Sequence, residues 1–318
     1  MAFLETLALL IISLVVLAKS AQYVISSSLE LARFFSFSEL AVGFVLLSVA
    51  TSLPEFAVGV IAGINNEPGI SVGNVFGSNL ADIGLVLGAA LVAAGALSVR
   101  RVEGKGLVRI LFATSLIPLL MLVGGEVRFL AGFALLAIFL GFVYYIFKER
   151  IVFHGAREVF TRPTGKQAVL QAFLFAASLA VLILSANYSV EQAVEFALLA
   201  GISKTFVGAT AVALGTSLPE LVVTLEAVRR KKPGIAWGTA VGSTITNLTL
   251  VLGSTLVLSQ ASVNLSAFLT LVVFALVMNL ALWYFLSERL RLTRREGLIL
   301  IGIYFLFLIV ASKLELGF

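Results

Sequence analysis

The pentapeptide Thr51-Ser52-Leu53-Pro54-Glu55 occurs a second time, 165 residues later (216 − 51), as Thr216-Ser217-Leu218-Pro219-Glu220. The same offset relates three further pairs of segments, Pro68–Ile70 with Pro233–Ile235, Gly77-Ser78 with Gly242-Ser243, and Leu85–Gly88 with Leu250–Gly253. An apolar composition alone would not keep proline, glutamate, glycine and serine in one register without a gap. The sequence therefore indicates an internal duplication.

The composition of the chain is strongly apolar. Of its 318 residues, 60% are hydrophobic and 12% are charged, and the mean hydropathy is +1.10. Average soluble domains carry about 25% charged residues, and no single soluble core could bury this much apolar surface. The lipid bilayer is therefore the expected solvent for much of the chain.

Long apolar stretches predict the membrane spans. A helix needs about 20 mostly apolar residues to cross the hydrocarbon core. The candidate spans are Ala2–Phe34, Ser38–Ile64, Pro68–Val99, Leu107–Val123, Phe129–Phe147, Gln167–Val190, Lys204–Val228, Pro233–Leu258, Ser262–Ser287 and Gly297–Ser312. They predict an all-α membrane protein with about ten transmembrane helices.

Each copy of the repeat would contain five of these helices. Because five is an odd number, the second copy must cross the membrane upside down relative to the first. Inverted repeats whose helices are interrupted by proline or glycine near the bilayer midplane are typical of secondary transporters. The predicted division is a first repeat over residues 1–147, a basic cytoplasmic linker over 148–166 and a second repeat over 167–318.

Positive charge is concentrated in the connections that follow the odd-numbered spans. Residues Arg229–Lys232 are all basic, whereas the repeat-related connection Ile64–Glu67 contains no lysine or arginine. Because loops rich in lysine and arginine face the cytoplasm, we expect a multi-pass plasma-membrane protein with both termini extracellular. These loops also account for the net charge of +5, so no nucleic-acid partner is expected.

The types of residue present limit the kinds of chemistry that the chain can perform. The chain has no cysteine and one histidine, His154, which excludes disulfides, thiolate nucleophiles and cysteine-ligated metals. An intramembrane enzyme could use buried carboxylates for acid–base work, but no nucleophile accompanies them, so neither enzymatic activity nor a cofactor is expected. A cation channel is a further alternative. Channels more often place identical subunits around an axis, whereas a single-chain repeat is compatible with function as a monomer.

Pro54 and Pro219 interrupt two of the apolar helices. Proline has no N–H, so the carbonyls of Ala50 and Gly215, four residues earlier, lose their helical partners. Within a bilayer, a free carbonyl is tolerated where it lines a cavity or is buried in protein. A glutamate follows each proline, and an acidic side chain at membrane depth is rare and usually functional. The two Pro-Glu pairs therefore predict a functional site.

Helical spacing places further oxygen-bearing side chains on the face of each glutamate. Residues three or four apart share a face. The resulting groups are Thr51, Ser52 and Glu55; Ser78 and Asp82; Thr216, Ser217 and Glu220; and Ser243 and Asn247. Calcium takes about six to eight oxygen ligands, whereas soft metals take sulfur and nitrogen. Since two glutamates would neutralise one calcium ion, the pattern favours a calcium site.

The repeated Thr-Ser-Leu-Pro-Glu and Gly-Ser motifs resemble the alpha-repeats of the calcium/cation antiporter superfamily, and among its members the prokaryotic sodium/calcium exchangers. This resemblance implies a ten-helix fold in the lipid bilayer and exchange of sodium for calcium by alternating access. The implied ligands are Glu55 and Glu220 at the centre with Thr51, Ser52, Thr216 and Ser217, then Ser78 and Ser243 at flanking sodium sites, and the backbone carbonyls of Ser48 and Ala213.

Two features bear on the coupling ion. Asp82 and Asn247 form a mixed pair at related positions, and potassium-dependent relatives also carry an acid at such a position. Proton-coupled relatives typically carry a glutamate in the helix after the Pro-Glu motif, where this chain has Phe76-Gly77-Ser78. Sodium is therefore the expected counter-ion of calcium, with potassium-coupled and proton-coupled exchange as alternatives.

Overall fold

Helices account for nearly all of the chain that the computed structural model describes, which comprises residues 2–34, 51–98, 127–148, 165–231, 233–259, 265–289 and 291–316. The α-helices are α1 (Ala2–Phe34), α2 (Leu53–Ile64), α3 (Pro68–Leu80), α4 (Gly88–Ala94), α5 (Val127–Lys148), α6 (Gly165–Ala200), α7 (Lys204–Val207), α8 (Ala213–Thr216), α9 (Leu218–Arg229), α10 (Pro233–Thr246), α11 (Leu252–Leu258), α12 (Leu265–Arg289) and α13 (Arg294–Leu316). Three π-helical segments continue some of these helices, namely π1 (Ala81–Leu87), π2 (Gly208–Val212) and π3 (Asn247–Val251).

Within the described ranges, six helical stretches are long and apolar enough to cross a membrane. They are Phe3–Ser28, Pro68–Ala94, Gly165–Ala200, Pro233–Leu258, Phe268–Leu286 and Arg294–Glu315. A seventh results if Lys204–Thr216 and Leu218–Arg229, which meet at 42°, are one broken span. The prediction of a mostly helical, multi-pass membrane protein is confirmed. The predicted span Leu107–Val123 lies outside the described residues, so the count of about ten helices stays a prediction.

Both Ser-Leu-Pro-Glu motifs begin a new helix. Pro54 and Pro219 occupy the first turn of α2 and α9, where a missing N–H is harmless because the first N–H groups of a helix have no internal partner. As a result, Glu55 and Glu220 also lie in the first turn. The positive end of the helix dipole favours a negative charge at this position.

The backbone of α3 contacts the backbone of α7 and π2. A Cβ atom added to Gly73 would lie 2.1 Å from the carbonyl oxygen of Thr205, and one added to Gly77 would lie 2.3 Å from that of Ala209. In the opposite direction, a Cβ on Gly208 would lie 2.4 Å from the carbonyl oxygen of Ile70. Small residues permit such close helix contacts in membranes, and here they join a segment before residue 147 to one after residue 167.

The two stretches that carry the Gly-Ser motifs are enclosed by the other helices. Most residues of Pro68–Ala94 and of Pro233–Leu258 are buried, whereas most residues of Gly165–Ala200 are not. One buried apolar cluster joins α1 to α6, and a larger one surrounds α3 and π1 and includes Phe76, Met278 and Phe307. The polar residues of the enclosed spans are thus shielded from the surrounding lipid.

The structure adds one short element that the helical pattern does not predict. Strands β1 (Ala96–Ser98) and β2 (Arg291–Thr293) form an antiparallel pair in which Leu97 is opposite Leu292. Gly95, with φ of +77°, ends α4, and its carbonyl accepts a hydrogen bond from the backbone N–H of Arg294. Strands of three residues are too short to show an alternating pattern, so composition alone could not reveal them.

Candidate cation-binding site

Glu55 and Glu220 are the centre of a buried polar cluster. Both side chains are fully buried, and each accepts a hydrogen bond from the serine that follows it by 23 residues. The Ser78 hydroxyl donates to Glu55 Oε1 at 3.4 Å, and the Ser243 hydroxyl donates to Glu220 Oε1 at 3.2 Å. The second carboxylate oxygen, Oε2, of each glutamate has no hydrogen-bond partner among the described residues. Each glutamate therefore keeps one buried oxygen available for a ligand.

Hydroxyl groups link the two halves of the chain across the cluster. The Thr216 and Ser78 hydroxyl oxygens are 3.3 Å apart, and those of Thr51 and Ser243 are 3.5 Å apart. The Ser52 hydroxyl also lies 3.3 Å from that of Ser243. Each serine thus lies between the glutamate of its own half and a threonine of the other half. The structure brings these hydroxyls together with both carboxyl groups, in a pattern that repeats with the sequence offset.

Asn74 is a member of the cluster that the sequence analysis missed. Its Oδ1 lies within hydrogen-bond distance of two hydroxyl oxygens, at 3.0 Å from that of Thr216 and 3.4 Å from that of Ser78, while its Nδ2 has no partner in the described part of the chain. Asn74 precedes Ser78 by four residues, so the same helical-spacing rule would have found it. Thr239 occupies the related position, so the internal repeat does not single out Asn74.

Asp82 and Asn247 lie at the start of π1 and π3. Both are fully buried, and their side-chain oxygen and nitrogen atoms make no hydrogen bond within the described residues. A π-helical turn inserts an extra residue and re-aims the side chains that follow, and such turns are frequent at functional sites. The predicted residues are therefore placed in the interior, but they are not joined by hydrogen bonds to the serine–glutamate pairs.

The remaining predicted ligands have different outcomes. The Ala213 carbonyl accepts a hydrogen bond from the Thr216 hydroxyl at 3.2 Å, so this carbonyl faces the cluster. Ser217 is buried, and its hydroxyl has no partner in the part of the chain that the structure describes. Ser48 lies outside the described residues, and its predicted role stays a prediction.

Among the described residues, no lysine or arginine is paired with the carboxyl groups of the cluster. Glu55 and Glu220 accept hydrogen bonds from serine hydroxyls, and the Asp82 carboxylate accepts none from the described residues. The carboxyl groups of Glu55, Asp82 and Glu220 are close enough to interact electrostatically. An unpaired buried charge costs several kcal/mol, so ionised carboxylates at this place call for a bound cation.

The groups of the cluster that could bind a cation are oxygen atoms. Within the described ranges, no three acidic, histidine or cysteine side chains converge closely enough to hold a metal ion by themselves. A cation here would therefore be bound by two carboxylates together with hydroxyl, amide and carbonyl oxygens. That is the ligand type of hard cations such as sodium and calcium rather than of soft transition metals.

Comparison with known proteins agrees with this chemistry. The sequence profile described as sodium/calcium exchanger protein matches residues 5–148 and 170–313, one match in each half. The sodium/calcium exchanger MaX1 of Methanosarcina acetivorans is 31% identical over 345 residues, covering 95% of this chain and 97% of that protein. The inner membrane protein YrbG of Escherichia coli is 30% identical over 256 residues, covering 77% of this chain and 78% of that protein.

Solved structures show the same architecture. The sodium-calcium exchanger NCX_Mj soaked with 100 mM Na+ and 10 mM Sr2+ matches with a TM-score of 0.65 at 26% identity, covering 96% of this chain and 98% of that chain. The same exchanger soaked with zero Na+ and Ca2+ matches with a TM-score of 0.63. The resemblance indicated by the repeated motifs is thereby confirmed. The chain belongs to the sodium/calcium exchanger family of membrane cation exchangers.

Proposed function

We propose that this protein is a secondary active antiporter that exchanges sodium for calcium at the cluster around Glu55 and Glu220. The observation that carries the proposal is the pair of fully buried glutamates, each with one oxygen on a serine and one oxygen without a partner among the described residues. Two carboxylates balance the two charges of calcium. The surrounding hydroxyls supply neutral oxygens toward the about six to eight that calcium takes.

Sodium would bind beside the calcium position, at two related groups of oxygens. One group of oxygens comprises Glu55, Ser78 and Thr216 with the Ala213 carbonyl, and the related group comprises Glu220 with Ser243, Thr51 and Ser52. Each group offers one carboxylate and several neutral oxygens, which suits a monovalent cation. Because calcium and sodium would share both glutamates, binding of one ion would displace the other.

Competition for shared ligands would couple the two fluxes. When either sodium or calcium is bound, the charge of the carboxylates is neutralised. The protein can then pass through a state in which the ion site is closed to both sides of the membrane. An empty cluster would keep uncompensated charges in a low-dielectric interior, which is costly. Alternating access then gives obligatory exchange, because the protein changes its open side readily with sodium or calcium bound and slowly with neither.

The arrangement in the membrane is part of the proposal. Residues 1–147 and 167–318 would form two inverted five-helix repeats joined by the basic linker 148–166, with the ion site at the bilayer midplane. The basic segment Arg229–Lys231 would face the cytoplasm and both termini the exterior of the cell, with the protein in the plasma membrane. One chain contains both glutamates, so a monomer would suffice for exchange.

The test is ion-gradient-driven transport in proteoliposomes that contain the purified chain. Vesicles loaded with sodium and diluted into sodium-free medium should accumulate labelled calcium, without potassium and with the pH equal on both sides. If three sodium ions exchange for one calcium ion, as the family resemblance implies, each cycle moves net charge, so uptake should also respond to membrane voltage. If uptake does not respond to sodium but is driven by a proton gradient or requires potassium, the coupling ion is the proton or potassium instead of sodium. Calcium flux that needs no counter-ion would indicate a channel.

A further inference from the structure

Two buried threonines near Glu220 stand out because their hydroxyls are unsatisfied. Thr224 on α9 and Thr239 on α10 are fully buried, and neither hydroxyl has a hydrogen-bond partner in the described part of the chain. A threonine in a membrane helix ordinarily satisfies its hydroxyl on the carbonyl four residues earlier. In this protein Thr210, Thr244 and Thr249 do so, at 2.7, 2.8 and 2.6 Å. The two exceptions make no such bond to their own backbone.

Helix geometry places these two hydroxyls at the same depth. α9 ends at Arg229 and α10 begins at Pro233, and the two helices pack side by side, so they run in opposite directions. The hydrogen bond from Ser243 to Glu220 shows which residues lie at the same height. Four residues from Glu220 toward the turn is Thr224, and four residues from Ser243 toward the turn is Thr239. A helix rises 1.5 Å per residue, so the threonine pair lies about 6 Å from the glutamate–serine pair and on the same faces.

Helical spacing places the carboxyl group of Glu220 one turn from Thr224 on the same face of α9. Glu220 Oε2 is buried and has no hydrogen-bond partner among the described residues, and Glu220 and Thr224 are neighbours on one face of α9. One negative charge with two neutral hydroxyls matches the charge of a monovalent cation. Three protein oxygens are too few for a complete shell, so the ion would keep part of its water.

The related position in the first half of the chain lacks this group. Gly59 and Asn74 occupy the places of Thr224 and Thr239. A Cβ atom added to Gly59 would lie 2.6 Å from Cγ1 of Val251, and 3.3 Å and 3.4 Å from the hydroxyl oxygens of Ser71 and Thr255. Those two hydroxyls are hydrogen-bonded to each other, so they are satisfied. The unsatisfied pair Thr224 and Thr239 lies on the side of Glu220 that leads to Arg229–Lys231.

We propose that Thr224, Thr239 and Glu220 form an additional sodium site, placed between the central cluster and the face of the protein that carries Arg229–Lys231. This inference rests on the proposed exchange of sodium for calcium. A partly hydrated sodium ion would stop here before it loses its remaining water at the central cluster. Because the site exists in one half, it would raise the apparent sodium affinity at one face of the membrane and leave the other face unchanged.

The test compares the double variant Thr224→Val/Thr239→Val with Thr244→Val as the matched control. Each change replaces a buried hydroxyl by a methyl group of similar size, but the Thr244 hydroxyl is satisfied by its own helix. Sodium-dependent calcium transport is measured in vesicles of both orientations, with the exposed face identified by impermeant labelling of Lys231→Cys in an otherwise cysteine-free chain. Sodium-induced thermal stabilisation of the purified protein is the second measurement.

The double variant should need about five-fold to ten-fold more sodium for half-maximal transport at the Lys231 face. This is the size of effect expected when a bound charge loses polar groups that it contacts. At the opposite face it should match the control. Its sodium-induced stabilisation should shrink, while its melting temperature without sodium should not fall, because the lost hydroxyls are unsatisfied. Thr224→Ser/Thr239→Ser keeps both oxygens and should restore the sodium response.

Two results would overturn the inference while leaving the exchange function intact. One is wild-type sodium dependence in the double variant at both faces, which would mean that water alone occupies the hydroxyls. The other is an equal shift at both faces, which would place the effect at the central cluster. Absence of sodium-driven calcium transport in the wild-type chain would instead refute the proposed function itself.

Discussion

Replacement of Gly77 by alanine tests whether close contact of two backbones positions the ion site. An alanine Cβ at this position would lie 2.3 Å from the carbonyl oxygen of Ala209 and 2.6 Å from its Cα. Ordinary contacts begin near 3.4 Å, so α3 and π2 must separate by roughly 1 Å. The obstacle is backbone rather than a flexible side chain, and rotamer changes cannot relieve it.

The expected cost is larger for transport than for stability. Overpacking of this kind typically costs about 1–3 kcal/mol of unfolding free energy. Ser78 follows Gly77 directly and lies 3.4 Å from Glu55 and 3.3 Å from Thr216, so the same displacement separates these groups. By the scale known for catalytic groups, a displacement of about 1 Å costs ~100-fold in rate.

Gly141 provides the matched control. It is exposed in the middle of α5, and a Cβ atom added there would have nothing within 4 Å. Gly141→Ala should therefore raise stability by about 0.5–1 kcal/mol through helix propensity and leave transport unchanged. Calcium uptake into sodium-loaded proteoliposomes and thermal unfolding in detergent measure both effects. If Gly77→Ala transports and unfolds like Gly141→Ala, the close packing does not position the site.

Three further predictions concern the carboxylates and the topology. Glu55→Gln or Glu220→Gln removes a charge from the site, which at about 3–5 kcal/mol should nearly abolish calcium uptake; near-normal uptake in both folded variants would exclude these residues as ligands. Asp82→Asn should weaken calcium binding less than Glu55→Gln, because two carboxylates already balance calcium, and an equal loss of affinity would show that Asp82 binds calcium directly. Single cysteines at Asn66 and Lys231 should be labelled by impermeant reagents from opposite sides of the membrane, and labelling from one side would contradict the inverted repeat.

The local part of the site could be predicted from the sequence. A helix tolerates proline in its first turn and is disrupted by proline in its interior. Pro54 and Pro219 accordingly lie in the first turn of α2 and α9, together with Glu55 and Glu220. This inference holds because it depends on the covalent geometry of proline, which the sequence displays directly. The grouping of Thr51 and Ser52 with Glu55 by helical spacing is wrong, because α2 begins after them and their hydroxyls lie next to Ser243, the partner of Glu220.

The contacts between the two halves could not be predicted in this way. Nothing in the spacing of Ser78 and Thr216 indicates that their hydroxyls lie 3.3 Å apart. That distance depends on the approach of α3 to π2, and on the π-helical turns that change the phase of the side chains after them. A glycine in a helix shows that close approach is possible, but it does not say to which partner. The contact of Asn74 with Thr216, at 3.0 Å, is of the same kind.

The cluster is symmetric at the two glutamates but not at positions 82 and 247, where the two halves differ in charge. The bonds from Ser78 to Glu55 and from Ser243 to Glu220 are equivalent, so each half provides one carboxylate in the same setting. Asp82 and Asn247 differ, although both lie at the start of π-helical segments and both are buried without hydrogen bonds among the described residues. Two ionised glutamates balance one calcium ion, so an ionised Asp82 gives the cluster one negative charge more than calcium balances. A second acid at position 247 would add another, and an asparagine there avoids it.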